Sequence, residues 1–408
     1  MVNGQWSIKY SLLTLLLCLL LAACSDNDGT PDVVVPKTAI VYFSAQNSLK
    51  GYVMRDVNEI SMGAASLKDG EKVVVYLDNN DGTALYVFDN KHTAVTPVMT
   101  YEHNMDSSDP ATLAAVLEWV RTHYPAESYG LTMWSHADGW LAPLNTDYAK
   151  SIGVDDGDKF DLDKGTSMAI EDLADVMRQS GMKFRYVFFD ACLMQCIETD
   201  YALRDVTDYV IASPISTTAD GAYYTHQLTN GLFADDPADI ARTYFDDVEK
   251  RVSSSYSLGM VISAVKTAGL DSLASLTHQL LEKNNIKWSM VHSQFSMNEV
   301  QAYSQYTPRL FYRPDYFDAA GAMRQILPAE DAERWCKQLD ECIVYKAGTP
   351  RFYAYGETGD GFFDLQQGFC GVSMFVPQQK YTDNAGLCPY GDLNEEYLLT
   401  EWGKNIEN

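Results

Sequence analysis

Two short segments of the chain hold residue types that together can break an amide bond. One is Trp134-Ser135-His136-Ala137-Asp138-Gly139-Trp140, and the other is Phe189-Asp190-Ala191-Cys192-Leu193-Met194. A cysteine thiolate attacks a carbonyl carbon readily, and an imidazole within reach takes the thiol proton and returns it to the leaving amine. Each segment directly follows an apolar, aromatic-rich run, Gly130 to Trp134 in one case and Tyr186 to Phe189 in the other. Each reactive side chain is therefore expected just past the carboxyl end of a strand, where parallel α/β sheets gather their ligand-binding loops. Cys192 is read as the nucleophile and His136 as general acid and base. A helical stretch from Met194 to Leu203 would place its N-terminus at Cys192 and, with His136, lower the thiol pKa. The backbone N–H of Cys192 and one from the His136 to Gly139 loop are the expected oxyanion donors, Gly139 allowing close backbone approach. His103, His123, His226, His278 and His292 have no strand-end place, and Cys196, one turn beyond Cys192, is expected to face the core.

The elements that must position these residues are legible as alternating periodicities. Short buried-strand candidates occur at Ala39 to Phe43, Lys72 to Leu77, Gly130 to Trp134, Tyr186 to Phe189, Tyr209 to Ala212, Met260 to Val265 and Gly371 to Val376, with amphipathic helical stretches such as 111–123, 168–179 and 237–252 between them. Near-continuous apolar runs suit strands covered on both sides, so the fold class is α/β: a largely parallel sheet flanked by helices on both faces. Residues 285–350, less regular, are expected to be helices and loops packed on that sheet. The polar, Asp- and Gly-rich stretch from 141 to 166 is a long strand-to-helix connection, of the kind that is usually functional or disordered.

The leader is a separate matter. Lys9 is followed by a leucine-rich run from Leu12 to Leu21 that is short for a membrane span, and it ends in Leu21-Ala22-Ala23-Cys24. Residues 1–23 are read as a signal peptide of lipoprotein type, Cys24 as the lipidated mature N-terminus, 24–36 as a flexible tether and 37–408 as the folded domain. An exported bacterial envelope lipoprotein follows, with the outer-membrane surface as one destination, bound to the membrane through Cys24. Against 30 Lys and Arg stand 56 Asp and Glu, a formal charge of −26, which disfavours nucleic acid as a partner and suits cationic ones. The cysteines left after Cys18 and Cys24 are Cys192, Cys196, Cys336, Cys342, Cys370 and Cys388; their spacing matches no zinc or thioredoxin-type motif and leaves any disulfide pairing open. The acidic run Asp155, Asp156, Asp158, Asp161 and Asp163 does not have EF-hand spacing, so no metal site is expected and the chemistry needs no cofactor.

Asp190-Ala191-Cys192-Leu193-Met194 and His136 with Gly139 and Trp140 resemble the paired motifs of the clostripain family, although Ala137 stands where that family carries Gly. The likeness extends to Asn47-Ser48-Leu49, Ile211-Ala212-Ser213-Pro214, Asp220-Gly221 and Gly371-Val372-Ser373-Met374-Phe375-Val376-Pro377. The resemblance implies a caspase-like fold and cysteine peptidase activity on peptides or proteins with basic residues. It further implies cleavage after Arg or Lys, with Asp190 at the floor of the pocket for the residue before the scissile bond and Asp220 as a second pocket acid. A carboxylate there takes a guanidinium bidentately; Asp190 could instead cap the following helix. Calcium modulation and self-cleavage between His136 and Cys192 also follow from the likeness, with Lys150 the preferred cut over Lys159 and Lys164. The competing expectations are a non-catalytic surface lipoprotein that binds host protein or glycan, its 26 Tyr and 7 Trp supplying a stacking surface, and the same fold running transpeptidase chemistry.

Overall fold

The computed structural model describes residues 34–140, 152–157, 165–252, 259–286, 291, 295–296, 299–303, 316–354 and 361–376. The leader with Cys24, the tether up to residue 33, Lys150, Lys159, Lys164, Asp158, Asp161, Asp163, His292 and Cys388 lie outside them. The strands, in chain order, are β1 (Val35–Ser44), β2 (Lys72–Asn79), β3 (Gly82–Phe88), β4 (Pro97–Thr100), β5 (Ala126–Trp134), β6 (Ile152–Asp155), β7 (Thr166–Met168), β8 (Phe184–Asp190), β9 (Tyr209–Ala212), β10 (Val261–Lys266), β11 (Tyr316–Asp318), β12 (Ile343–Gly348), β13 (Arg351–Ala354), β14 (Gly361–Asp364) and β15 (Ser373–Phe375). Nine of them form one sheet in the order β12-β10-β9-β8-β5-β1-β2-β3-β4. Its centre is parallel, from β9 through β8, β5 and β1 to β2. The two strands at either side run antiparallel to their neighbours.

Strand alternation divides the central residues between two cores. On one face Val41, Phe43, Val75, Phe188 and Ile211 meet Val53, Val57 and Ile60 of the helix Val53–Ala64 and Ile240, Tyr244 and Val248 of the helix Ala238–Val252. On the other, Ile40, Tyr42, Val74, Leu131 and Phe189 meet Leu113, Val116 and Leu117 of Pro110–His123 and Leu173, Val176 and Met177 of Ile170–Ser180. Helices thus cover both faces. Pro110–His123 starts where its sequence says it should: Asp109 accepts from the Ala111 N–H and proline fills the first helical position.

The strand at Val35 begins two residues inside the expected tether. Residues 285–350 include the helices Ala319–Ile326 and Ala329–Cys342, but also β12, which joins the main sheet as an edge, and β11, which pairs with β15 in a small separate sheet. Among the described residues no helix is long and apolar enough to cross a membrane. Phe188 is fully buried, so Phe188→Ala is expected to lower unfolding free energy by about 3–5 kcal/mol, seen as a lower denaturant midpoint at unchanged slope; a cost below about 1 kcal/mol would contradict this packing.

Candidate active site

Parallel strands β5 and β8 pair from Gly130↔Tyr186 to Trp134↔Asp190. His136 and Cys192 each lie two residues beyond that last pair, so the register itself sets the imidazole loop beside the thiol loop. Direct contact follows farther along. Gly139, at φ +84°, is so close to the other loop that a Cβ there would lie 3.1 Å from the Leu193 carbonyl oxygen and 2.8 Å from the Tyr316 ring. Only glycine fits that backbone and that gap. Ala137 is not among the positive-φ residues; it is buried and bridges Ile152 in extended fashion, so an alanine costs nothing at this position.

Cys192 sits on a tight turn, not at a helix start. Leu193 adopts φ +62°, a conformation that costs a branched residue about 1 kcal/mol or more. The turn is held from across the sheet, because the Leu193 N–H donates to the Ile215 carbonyl (3.1 Å) and the Gln195 N–H to the Ser213 carbonyl (3.1 Å). The next helix starts only at Ile197, with Cys196 as its N-cap. The expected dipole effect on Cys192 is therefore absent, and Asp190 caps no helix. The Thr217 N–H donates to the Cys192 sulfur at 3.3 Å. Burial pushes the Cys192 thiol above its ordinary pKa; the Thr217 contacts oppose the rise, and the charges of Asp138 and Asp190 add to it. Cys196 is fully buried against Thr199 at 3.0 Å, and burial drives its pKa up as well.

On the histidine side, the Ser48 hydroxyl lies 2.8 Å from His136 Nε2. Buried Asn47 donates to the carbonyls of Ser44 (3.0 Å) and Val154 (2.7 Å) and to the Ser135 hydroxyl (3.3 Å). Ser135 in turn donates to the Ser44 carbonyl and accepts from the Val154 N–H. These bonds lock the start of the His136 loop to the ends of β1 and β6. The family likeness at Asn47-Ser48-Leu49 marked this segment without revealing that it holds the imidazole.

Asp190 is buried, and its carboxylate accepts from the Tyr224 and Tyr244 hydroxyls and the Ala222 N–H, each at 3.0 Å. Both of its oxygens are engaged, so it is no open pocket floor; burial raises its pKa, opposed by those donors and by Arg55. Asp220 is half-exposed and pairs with Arg55. Of the acidic run, Asp155 accepts from Ser107 and Gly157 and Asp156 from Gly165; among the described residues no cluster of three ligands suited to a metal occurs. The five described thiols, Cys192, Cys196, Cys336, Cys342 and Cys370, form no disulfide with one another.

A family model described as the clostripain family, peptidase C11, matches residues 41–408. Clostripain of Hathewaya histolytica is 22% identical over 85% of this chain and 76% of its own length. A secreted C11 cysteine protease from Bacteroides thetaiotaomicron, solved in complex with an irreversible peptide inhibitor, superposes with a TM-score of 0.73 at 27% identity, covering 90% of this chain and 99% of that one. An inactive zymogen C11 protease from Parabacteroides distasonis gives 0.73 at 25% identity, covering 91% and 99%.

Since the Asp138 charge raises the thiol pKa, Asp138→Asn is expected to move the pH midpoint of Cys192 alkylation downward. Iodoacetamide rates measured across pH 6 to 10 check this, with a faster reaction expected at neutral pH; an unmoved or higher midpoint counts against the electrostatic coupling of the two loops.

Proposed function

Because the chain belongs to the clostripain family of cysteine peptidases, we propose that Cys192 is its nucleophile, that His136 is its general acid and base, and that it cuts after Arg or Lys. The observation that carries this reading is the register of β5 and β8, which sets the two residues at equal distance past Trp134↔Asp190, with Gly139 packed against Leu193.

In this mechanism His136 takes the Cys192 thiol proton as the substrate closes over the site, and the Thr217 N–H steadies the sulfur anion. The thiolate adds to the scissile carbonyl carbon, and the tetrahedral oxyanion is met by the N–H groups of Cys192 and Gly139. Preorganised donors of this kind contribute about 3–4 kcal/mol. The Leu193 N–H is committed to Ile215 and takes no part. Collapse breaks the C–N bond as His136 protonates the amine, and water then hydrolyses the thioester. With Ser48 engaging Nε2, proton traffic runs through Nδ1. Among the acids, Asp220 is the one a substrate guanidinium or ammonium reaches directly; Asp190 acts through its field. No step calls for a cofactor or for calcium.

Self-cleavage after Lys150 fits the anchoring on either side. Buried Trp140 donates to Glu171, and β6 begins at Ile152 and pairs with β7. Trp140 and β6 would each keep their side of the cut chain held to the domain. The inactive zymogen among the similar structures supports a maturation step, and the secreted relative supports export, here with lipid attachment at Cys24.

A positional peptide library tests the specificity, run on parent and Cys192→Ala protein. Arg and Lys are expected before the scissile bond, with a loss of more than about a thousandfold in the variant. Preference for small apolar residues would refute the pocket, and retained activity in Cys192→Ala would refute the nucleophile. Intact mass of the same two samples is expected to show a cut after Lys150 in the parent alone; an uncut, fully active parent chain overturns self-processing.

A further inference from the structure

The pocket acid that a basic substrate needs is already occupied by this chain's own arginine. Arg55 Nη1 lies 2.5 Å from Asp220 Oδ1, and Nη2 donates to the Asp220 carbonyl, also at 2.5 Å. The same guanidinium donates to Asp56 at 3.0 and 3.2 Å and reaches Glu59 at 3.6 Å, and the exposed ring of Tyr52 flanks it.

Its position relative to the reacting groups follows from the chain. Ser48, seven residues before Arg55, touches His136, and Thr217, three residues before Asp220, touches Cys192. The Arg55–Asp220 pair therefore joins the segment that holds the imidazole to the loop that holds the thiol. Asp190, two residues before Cys192, and Asp56 lie in the field of the same guanidinium.

Charge and exposure decide what the pair can do. One guanidinium faces Asp220, Asp56 and Glu59 with Asp190 behind them. Asp56 is fully buried and pushed up to about 8, burial being the main cause, so it is largely uncharged at neutral pH. Asp220 and Glu59 then balance more than the one cation, and the group as a whole still favours a second. The Arg55 and Asp220 side chains are 41% and 51% exposed, and ion pairs this open to water hold weakly. Arg55 can thus leave Asp220 while Asp56 and Glu59 keep it close by.

Building on the specificity reading above, we propose that Arg55 is an internal competitor for the basic-residue pocket: it occupies Asp220 in the free enzyme, and the substrate's Arg or Lys must displace it. The residue sets how strongly the enzyme favours a charged over a neutral side chain at that position. It is a specificity residue, with no part in bond breaking.

The test uses purified, matured protein and peptides that differ only in carrying Arg, Lys or the uncharged arginine isostere citrulline before the scissile bond. In Arg55→Gln the ratio of kcat/KM for Arg over citrulline is expected to rise about 2- to 5-fold, the range one exposed ion pair allows, mainly through a lower KM for Arg. In an Asp220→Asn background the Arg55→Gln change should no longer alter the ratio. Arg55→Lys keeps a cation for Asp56 and Glu59 but loses the two-pronged hold on Asp220; it should raise the ratio by less, and it carries the test if Arg55→Gln does not fold. A fall in the ratio overturns the proposal and makes Arg55 a support for the pocket; an equal rise with Asp220 and Asp220→Asn overturns it too, because the effect then does not pass through Asp220. If the parent hydrolyses Arg and citrulline peptides equally well, the basic-pocket reading fails first and the competitor role falls with it.

Discussion

Parallel pairing between β5 and β8 is the constraint on which the site depends. The pairing shifts between Tyr129 and Gly130, after which it runs unbroken to Trp134↔Asp190. Gly130 fixes it there, because the Tyr186 ring fills the space where a Cβ would stand, 2.0 Å from that position. In a sheet buried on both faces a slip of one residue would move Phe188 and Val187 into each other's cores. The same slip would carry Cys192 away from His136. Hydrophobic burial thus enforces the register that sets the two loops side by side, and the outer layers of helices matter to the proposed chemistry through this one requirement.

Electrostatics pull the other way. Burial opposes ionisation of Cys192, and the anionic neighbours Asp138 and Asp190 oppose it further. The chain compensates locally: Thr217 gives the sulfur a backbone donor, and Tyr224, Tyr244 and the Ala222 N–H hold the Asp190 charge. In the proposed mechanism His136, with substrate excluding water around it, supplies the drive to ionise the thiol that its burial opposes. In the proposed reading, the acids that oppose ionisation of the thiol are also the acids that attract a basic substrate, so selectivity and restraint share one set of residues.

Much of this was legible in the sequence because it is local. The apolar runs at Ala39 to Phe43, Lys72 to Leu77 and Tyr186 to Phe189 became β1, β2 and β8, since strands covered on both faces need no polar alternation. Edge strands were harder. In β12 intermediate and exposed residues alternate, and its pattern resembles a surface turn until β10 is placed beside it. The helix expected from Met194 starts only at Ile197, because Leu193 at φ +62° and Cys196 in an extended conformation interrupt the helical backbone, and long-range bonds from Leu193 to Ile215 and from Gln195 to Ser213 hold that turn. The contacts of Ser48, Thr217 and Arg55 were not foreseeable, because they too are long-range. Their partners, His136, Cys192 and Asp220, are 88, 25 and 165 residues away, and nothing in the types of serine, threonine or arginine announces such a contact. Asp190 shows the converse: its place in a motif was plain, but the tyrosines that enclose it lie too far along the chain to be anticipated.

The pairing of one particular thiol with the site is most directly tested by an irreversible peptidyl probe that carries Arg next to a thiol-reactive group, reacted with matured protein and mapped by peptide mass spectrometry. The expected result is a single adduct, on Cys192, whose extent tracks the loss of hydrolysis, with Cys196, Cys336, Cys342 and Cys370 unmodified behind their burial. Proportional inactivation with the adduct on any of those other cysteines would contradict the placement of the nucleophile at the end of β8.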